Sequence, residues 1–63
     1  MTTQIFTFGV GQRHEGKYIK IFGTSKGDCR KRMFEIFGQK WASQYNNERQ
    51  AGVKEYDLKE FLS

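Results

Sequence analysis

The fold depends on residues 25–38, which read SKGDCRKRMFEIFG. Apolar side chains in this stretch recur at i, i+4, i+7 and i+8, the spacing of one face of an amphipathic helix. A hydroxyl at Thr24 or Ser25 can cap the start, and Gly38 suits the left-handed residue that ends a helix. We therefore predict a helix over residues 25–37. Its predicted apolar face consists of Cys29, Met33, Ile36 and Phe37, widened by Phe34.

Two segments before this helix favour β-strands. Residues 4–9 and 17–22 are rich in β-branched and aromatic side chains, and a glycine-rich polar loop joins them. Such a loop predicts an antiparallel hairpin. After the helix, residues 41–46 predict a third strand beside either hairpin strand.

The C-terminal segment, residues 48–63, fits two structures. Asp57 followed three residues later by Glu60 has the spacing of a capping box, which predicts a short helix ending at Phe61 and Leu62. An edge strand that contains Tyr56 and Leu58 is the alternative. We favour a short C-terminal helix or a loosely ordered tail.

Together these elements predict one α+β domain over residues 1–63. A three-stranded, mainly antiparallel sheet would carry the helix on one face, because a hairpin alone is marginally stable in water. We assign Cys29 and Trp41 to the core, and an interface hot spot is the alternative for Trp41.

Composition excludes several classes of protein. One cysteine and one histidine in 63 residues allow neither an internal disulfide nor a zinc site. The longest apolar run is far below the ~18 residues that cross a bilayer, and the N-terminus lacks a signal-peptide pattern. We expect a cytoplasmic protein with no cofactor, no metal and no membrane contact.

The charge is positive and unevenly distributed. Eleven Lys and Arg against seven Asp and Glu give a net charge of +4. Residues 1–40 carry eight basic and three acidic side chains, whereas residues 41–63 carry three and four. This asymmetry indicates either an acidic protein surface or nucleic acid as a partner.

The glycine-rich loop is the first candidate site. Glycines let backbone N–H groups approach an anion closely, and basic side chains can add charge-assisted hydrogen bonds. The alternative is a hairpin turn whose glycines serve only backbone geometry. The candidate binding residues here are Gln12, Arg13, His14 and Lys17.

The basic helix face is the second candidate site, since its side chains could follow a phosphate backbone. Tyr18 and Phe22 share the sheet face opposite Ile19 and could stack on unpaired bases. The alternative is that both aromatics pack under the C-terminal segment while the charges face solvent. The basic residues are Lys26, Arg30, Lys31 and Arg32.

Catalysis has little support in the sequence. His14 is the only histidine and lies in the predicted loop, and Cys29 lies on the apolar face of the helix. A Cys–His pair would require Cys29 to leave that face. We expect a non-enzymatic protein.

The chain also resembles a group of very small bacteriophage proteins without an established activity. The shared pattern reads TFG-x-GQ at 7–12, GKYI at 16–19, MFE-x-FG at 33–38 and WA-x-QY at 41–45. Members often have an aromatic residue where Ser43 stands and alanine where Cys29 stands, which affects packing. The resemblance implies a viral protein that acts in a bacterial cytoplasm.

Three functions follow as hypotheses. The preferred one is an accessory protein that binds and modulates or inhibits a host protein, with defence proteins among the candidate hosts. The second is a nucleic-acid-binding module, and the third sequesters a small phosphorylated ligand in the glycine-rich loop. Ten aromatic residues in so short a chain also make a homodimer plausible.

Overall fold

The computed structural model describes residues 1–9 and 11–61. Its elements are β1 (Thr2–Thr7), β2 (Lys17–Gly23), α1 (Lys26–Phe37), β3 (Ser43–Tyr45), α2 (Glu48–Ala51) and β4 (Lys59–Glu60). The strands form one mixed sheet in the order β3-β1-β2-β4. β1 pairs antiparallel with β2 and β3, whereas β4 runs parallel to β2. The predicted small α+β fold is confirmed, with four strands instead of three.

Helix α1 begins and ends at the residues that the sequence indicates. The Ser25 hydroxyl accepts a hydrogen bond from the Asp28 N–H at 3.1 Å. At the other end Gly38 has a φ of 63° and donates its N–H to the Phe34 carbonyl at 2.9 Å. These contacts satisfy backbone groups that a helix leaves unpaired at its termini. Neither helix of the described chain has the length and hydropathy that a bilayer-spanning segment needs.

The face that α1 turns to the sheet is narrower than predicted. Cys29 and Met33 are fully buried, and Phe37 packs against the same core. These three residues are spaced by four, so they lie nearly above one another. Ile36 was predicted to share this core, but 59% of its surface is exposed. It lies toward the β2 side of the helix, outside the contact with the sheet.

The sheet is covered on both faces, because alternate residues of its strands point in opposite directions. Phe6 and Phe8 pack with α1, whereas Ile5 and Tyr18 pack on the other side with Ala51 of α2. Both faces are therefore occupied near the centre of the sheet. The edge strand β3 and the flank of α1 beside it remain accessible, and they form the site described below.

The third strand was predicted over residues 41–46 but contains only Ser43–Tyr45, and it pairs with β1. The Ala42 N–H bonds to the Thr7 carbonyl at 2.8 Å although Ser43 is the residue in register with Thr7. Two residues thus oppose one, as in a β-bulge. The distortion lets Trp41 turn toward the core, which shortens the strand.

The C-terminal segment differs from the prediction. Asn47 caps the single turn α2, and its side chain accepts the Gln50 N–H at 2.8 Å. The predicted helix at Asp57 is wrong, because Asp57 has a left-handed φ of 51° within a turn. An edge strand follows instead, in which the Phe61 N–H bonds to the Tyr18 carbonyl at 2.7 Å. The predicted elements also extended to residues 62 and 63, which lie outside the described residues.

Candidate binding groove

The glycine-rich loop binds its own side chains. The Gly9 N–H donates to the Gln12 side-chain oxygen. The Gly11 N–H donates to a carboxylate oxygen of Glu15 at 2.6 Å. Two of the N–H groups that were predicted to hold an anion are therefore engaged within the loop, one of them by a negative charge. This arrangement disfavours phosphate at the same position.

The other candidate residues of this loop do not form an anion site. The His14 ring packs 4.5 Å from the ring centroid of Phe61 and 5.2 Å from that of Phe8. The Lys17 ammonium lies 5.7 Å from the centroid of Phe61, and Arg13 is exposed. His14 and Lys17 thus cover the end of the core where β4 joins β2. Their contacts are explained by packing.

The basic residues predicted as one face of α1 do not form one surface. Consecutive residues of a helix are rotated by about 100°, so Arg30, Lys31 and Arg32 point in three directions. The Arg32 Nε donates to the Asp28 carboxylate at 3.2 Å on the β2 side. Lys31 faces solvent. Of these three residues, only Arg30 turns toward Trp41 and the edge strand β3.

The two aromatics predicted to stack on bases are also separated by their surroundings. Tyr18 is 7% exposed beneath α2, and burial raises the pKa of its phenol, with the Glu48 and Glu60 carboxylates adding to the effect. A salt bridge of 2.9 Å between Lys20 and Glu48 lies beside it. Phe22 is 62% exposed at the far end of the same strand. Tyr18 therefore cannot offer a stacking face without displacement of α2.

A different site is formed where α1 runs beside the edge strand β3. Two adjoining open cavities, of about 550 and 270 Å³, share Arg30, Ser43 and Gln44 in their walls. We call this depression the α1–β3 groove. Its other lining residues are Gln4, Lys26, Phe34, Gln39, Trp41, Ala42, Tyr45, Asn46 and Gln50.

An arginine that packs against two touching aromatic rings forms one wall of the groove. The Arg30 guanidinium carbon lies 5.4 Å from the centroid of Phe34 and 5.3 Å from that of Trp41. Trp41 is fixed in turn by an edge contact with Phe6 and by a 3.0 Å hydrogen bond from its indole N–H to the Gly38 carbonyl. Arg30 is thereby positioned before any ligand binds, which lowers the entropy lost on binding.

Gln44 connects the floor of the groove to the helix. Its side-chain nitrogen donates to the Gln4 side-chain oxygen at 3.1 Å and to the Lys26 carbonyl at 3.1 Å. Gln4 is 3% exposed, so this amide pair is held inside the protein. The pair fixes the edge strand against the first turn of α1 and sets the width of the groove.

The groove is positively charged and has no internal counter-ion. Lys26 and Arg30 are the charged residues in its lining, which contains no Asp or Glu among the described residues. The three ion pairs of the described chain involve other basic side chains. Two cations, one planar stacked guanidinium and several amides can hold carboxylate groups through charge-assisted hydrogen bonds. Within the described residues no cluster of His, Cys, Asp and Glu could hold a metal ion.

The sequence offered a partial signal for this groove. Lys26, Arg30 and Phe34 follow one another at intervals of four and therefore lie on one flank of α1. Trp41 was assigned to the core and is in fact partly buried at the rim, where it contacts both Phe6 and Arg30. Nothing in the sequence indicated a role for Gln44 in the groove, because that role depends on the pairing of β3 with β1.

No protein-family model matches the chain, and neither the curated proteins nor the solved structures include one with significant similarity to it.

Proposed function

We propose that the chain is a non-enzymatic binding protein whose α1–β3 groove binds an acidic segment of a partner protein. The observation that carries the proposal is Arg30, which packs against Phe34 and Trp41 in a groove lined by cations and amides. Arg and Trp are enriched among residues that dominate protein–protein binding energy. Taken with the resemblance to small bacteriophage proteins, this supports a host protein as the partner, whose activity the bound chain would modulate or inhibit.

The groove is better suited to a protein segment than to nucleic acid. Its cations are only Lys26 and Arg30, while Lys31 faces solvent and Arg32 is paired with Asp28. Binding along a phosphate backbone requires a series of cations in register with the phosphates. A short acidic segment needs only a few carboxylates and an aromatic contact, and the groove provides for both.

Sequestration of a small phosphorylated ligand has less support. The loop predicted to hold it already bonds its Gly11 N–H to the Glu15 carboxylate. A phosphate at that position would have to displace the Glu15 carboxylate, which belongs to the same loop.

Trp41 provides a direct test, because it is the single tryptophan of the chain and lies in the groove. We would titrate the protein at low salt with a capped oligoglutamate peptide, oligothymidine and inorganic pyrophosphate, and follow the emission of Trp41. We expect a saturable change with oligoglutamate. The K26A/R30A variant should bind at least about tenfold more weakly, a loss that corresponds to 1.4 kcal/mol.

The matched control is K31A/K40A, which also removes two positive charges, but from exposed positions outside the groove. It should retain most of the affinity. Equal weakening by both double variants would show that only net charge matters and would overturn the proposal. Tighter binding of oligothymidine that falls steeply with salt would favour the nucleic-acid function instead. Saturable binding of pyrophosphate alone would favour ligand sequestration.

A further inference from the structure

A second accessible surface lies on the opposite side of α1. Ile36 and Phe22 are 59% and 62% exposed and line an open depression of about 460 Å³ between the helix and β2. Arg32 and Glu35 border it on the helix. We call this surface the α1–β2 face. Ile36 lies on the α1 side of the sheet, whereas the Phe22 side chain lies on the other side with Tyr18. Two large apolar side chains that flank one sheet edge on so small a domain suggest an interaction site.

Among the described residues, the backbone of β2 beyond Tyr18 is also available at this face. β4 accompanies β2 only at Lys17 and Tyr18 within the described residues. The Tyr18 carbonyl points away from β1, because it accepts the Phe61 N–H. Backbone groups alternate in direction along a strand, so those of Lys20 and Phe22 point the same way. They extend past β4 as a short edge that another strand can join.

The charges on this face are self-complementary. Arg32, which also bonds to Asp28, and Glu35 lie about one turn apart on α1, and both line the depression beside Ile36. A two-fold axis brings the same patch of two molecules together, so that each residue meets a different residue of the other copy. Arg32 of one copy would then face Glu35 of the other, twice per dimer. A surface that carries a positive and a negative side chain in this order is more complementary to a second copy of itself than to a partner whose charges have a single sign.

We propose that the α1–β2 face is the interface of a homodimer in which β2 pairs antiparallel with β2 of a second copy. Lys20 lies opposite Phe22 of the second copy, so that the outward N–H and C=O groups of both bond to each other. Ile21 lies at the two-fold axis. The two α1 helices run antiparallel on one face of a continuous sheet, and Ile36 is buried between them.

The required area is compatible with the size of the domain. A stable interface buries about 800 Å² on each partner. The protein exposes 4565 Å² in all, so a strand edge and one flank of a three-turn helix must together cover about a sixth of the surface. These two elements run side by side over the length of β2. If the strand edge and the helix flank bury no more than this standard area, the dimer should dissociate on dilution.

Sedimentation equilibrium over about a hundredfold range of protein concentration tests the proposal, since the dimer fraction must rise with concentration. Phe22→Lys and Ile36→Glu change exposed side chains, so the fold should persist in circular dichroism, and both variants should be monomeric. The matched control is Tyr56→Lys, an aromatic residue 69% exposed outside this face. Tyr56→Lys should leave the dimer unchanged.

Charge reversal identifies the pairing across the two-fold axis. Arg32→Glu alone and Glu35→Arg alone each place like charges opposite one another, so each variant should be monomeric. An equimolar mixture of the two should form a heterodimer, because both pairs become attractive in the mixed species. A mixture that stays monomeric while the wild type dimerises would overturn the proposed pairing.

Other occupants of the face give distinct outcomes. A wild-type protein that is monomeric at every concentration would overturn the proposal. If the protein dimerised only after removal of residues 62 and 63, the occupant of the β2 edge would be the end of the same chain and not a second copy. A dimer that survives both Phe22→Lys and Ile36→Glu would place the interface elsewhere, as would one disrupted equally by Tyr56→Lys.

Discussion

A single carboxylate organises the start of α1. The Asp28 side chain accepts the Thr24 N–H at 2.9 Å and the Arg32 Nε at 3.2 Å. The hydrogen bond from Thr24 is the main cause that lowers the pKa of Asp28, and the bond from Arg32 adds to it. The ionised carboxylate also lies near the positive end of the helix dipole. The same residue therefore joins the end of β2 to the helix that follows.

This contact predicts a specific pH dependence. Because folding lowers the pKa of Asp28, its stabilising contribution is present above the unfolded value of about 3.9 and is lost as the pH falls through the folded value. Asp28→Asn should be less stable than the wild type at neutral pH and should lose less of its free energy of unfolding on acidification. Urea denaturation from neutral pH to about pH 3 measures both effects.

Asp57→Asn is the control, since it removes one carboxylate from a side chain that is 87% exposed. It should follow the wild-type profile closely. A parallel profile for Asp28→Asn and the wild type across the acidic range would refute the role given to Asp28.

At the scale of elements, two glycines lie at the junction between β2 and α1, and the structure requires glycine at only one of them. A Cβ on Gly23 would lie 2.7 Å from the Asp28 Oδ2 and 3.0 Å from the Cys29 Sγ. A Cβ on Gly27, within α1, would have the Ser25 Oγ at 3.9 Å as its nearest atom. The close approach of strand and helix thus requires glycine at one position and only tolerates it at the other.

Alanine at these two positions should change stability in opposite directions. Gly23→Ala should destabilise the protein by about 1–3 kcal/mol, the usual cost of overpacking. Gly27→Ala should stabilise it by about 0.5–1 kcal/mol, since alanine loses less backbone entropy in a helix. Each variant serves as the control for the other in urea denaturation. A change of the same sign in both would contradict this account of the junction.

Elements defined by local chemistry could be predicted from the sequence. The caps at Ser25 and Gly38 and the apolar periodicity between them act within one segment, and α1 forms there. Ile36 satisfied the same periodicity yet is exposed, because the width of the buried face depends on how α1 sits on the sheet. An edge strand near β4 was only the less favoured prediction for a related reason, since the hydrogen bonds of β4 to Gly16 and Tyr18 join residues far apart in the sequence.

The candidate groove shows the same limit of sequence reasoning. The cations on α1 could be identified, but the sequence placed Arg30, Lys31 and Arg32 in one site, whereas helical rotation separates them. The aromatic partner of Arg30 comes from Trp41, outside α1. A site built between a helix and an edge strand depends on the order of strands, which the sequence left open.

At the scale of the whole molecule, the two proposed surfaces lie on opposite flanks of α1. The α1–β3 groove uses Lys26 and Arg30, whereas the α1–β2 face uses Arg32 and Ile36. No lining residue is shared between them. A dimer formed through the α1–β2 face would therefore leave both grooves open, at the outer ends of a continuous sheet. Such a dimer would be a bivalent binder of acidic segments.

Bivalence predicts a difference between affinity and avidity. Phe22→Lys should leave the affinity of a single groove for free oligoglutamate unchanged, because Phe22 does not line it. On a surface that carries the peptide densely, the wild-type dimer should dissociate more slowly than the variant by a factor of about 100 or more. Surface plasmon resonance at high and low peptide density measures this difference.

The low-density surface is the internal control, because a dimer can engage only one peptide there and the two proteins should dissociate at similar rates. K26A/R30A should bind both surfaces more weakly than the wild type while remaining dimeric, which separates failure of the groove from failure of the dimer. Equal dissociation of wild type and Phe22→Lys at high density, with the wild type shown to be dimeric, would mean that the two grooves cannot engage one surface together. The geometry of a dimer joined through β2 would then have to be rejected even if the dimer itself exists.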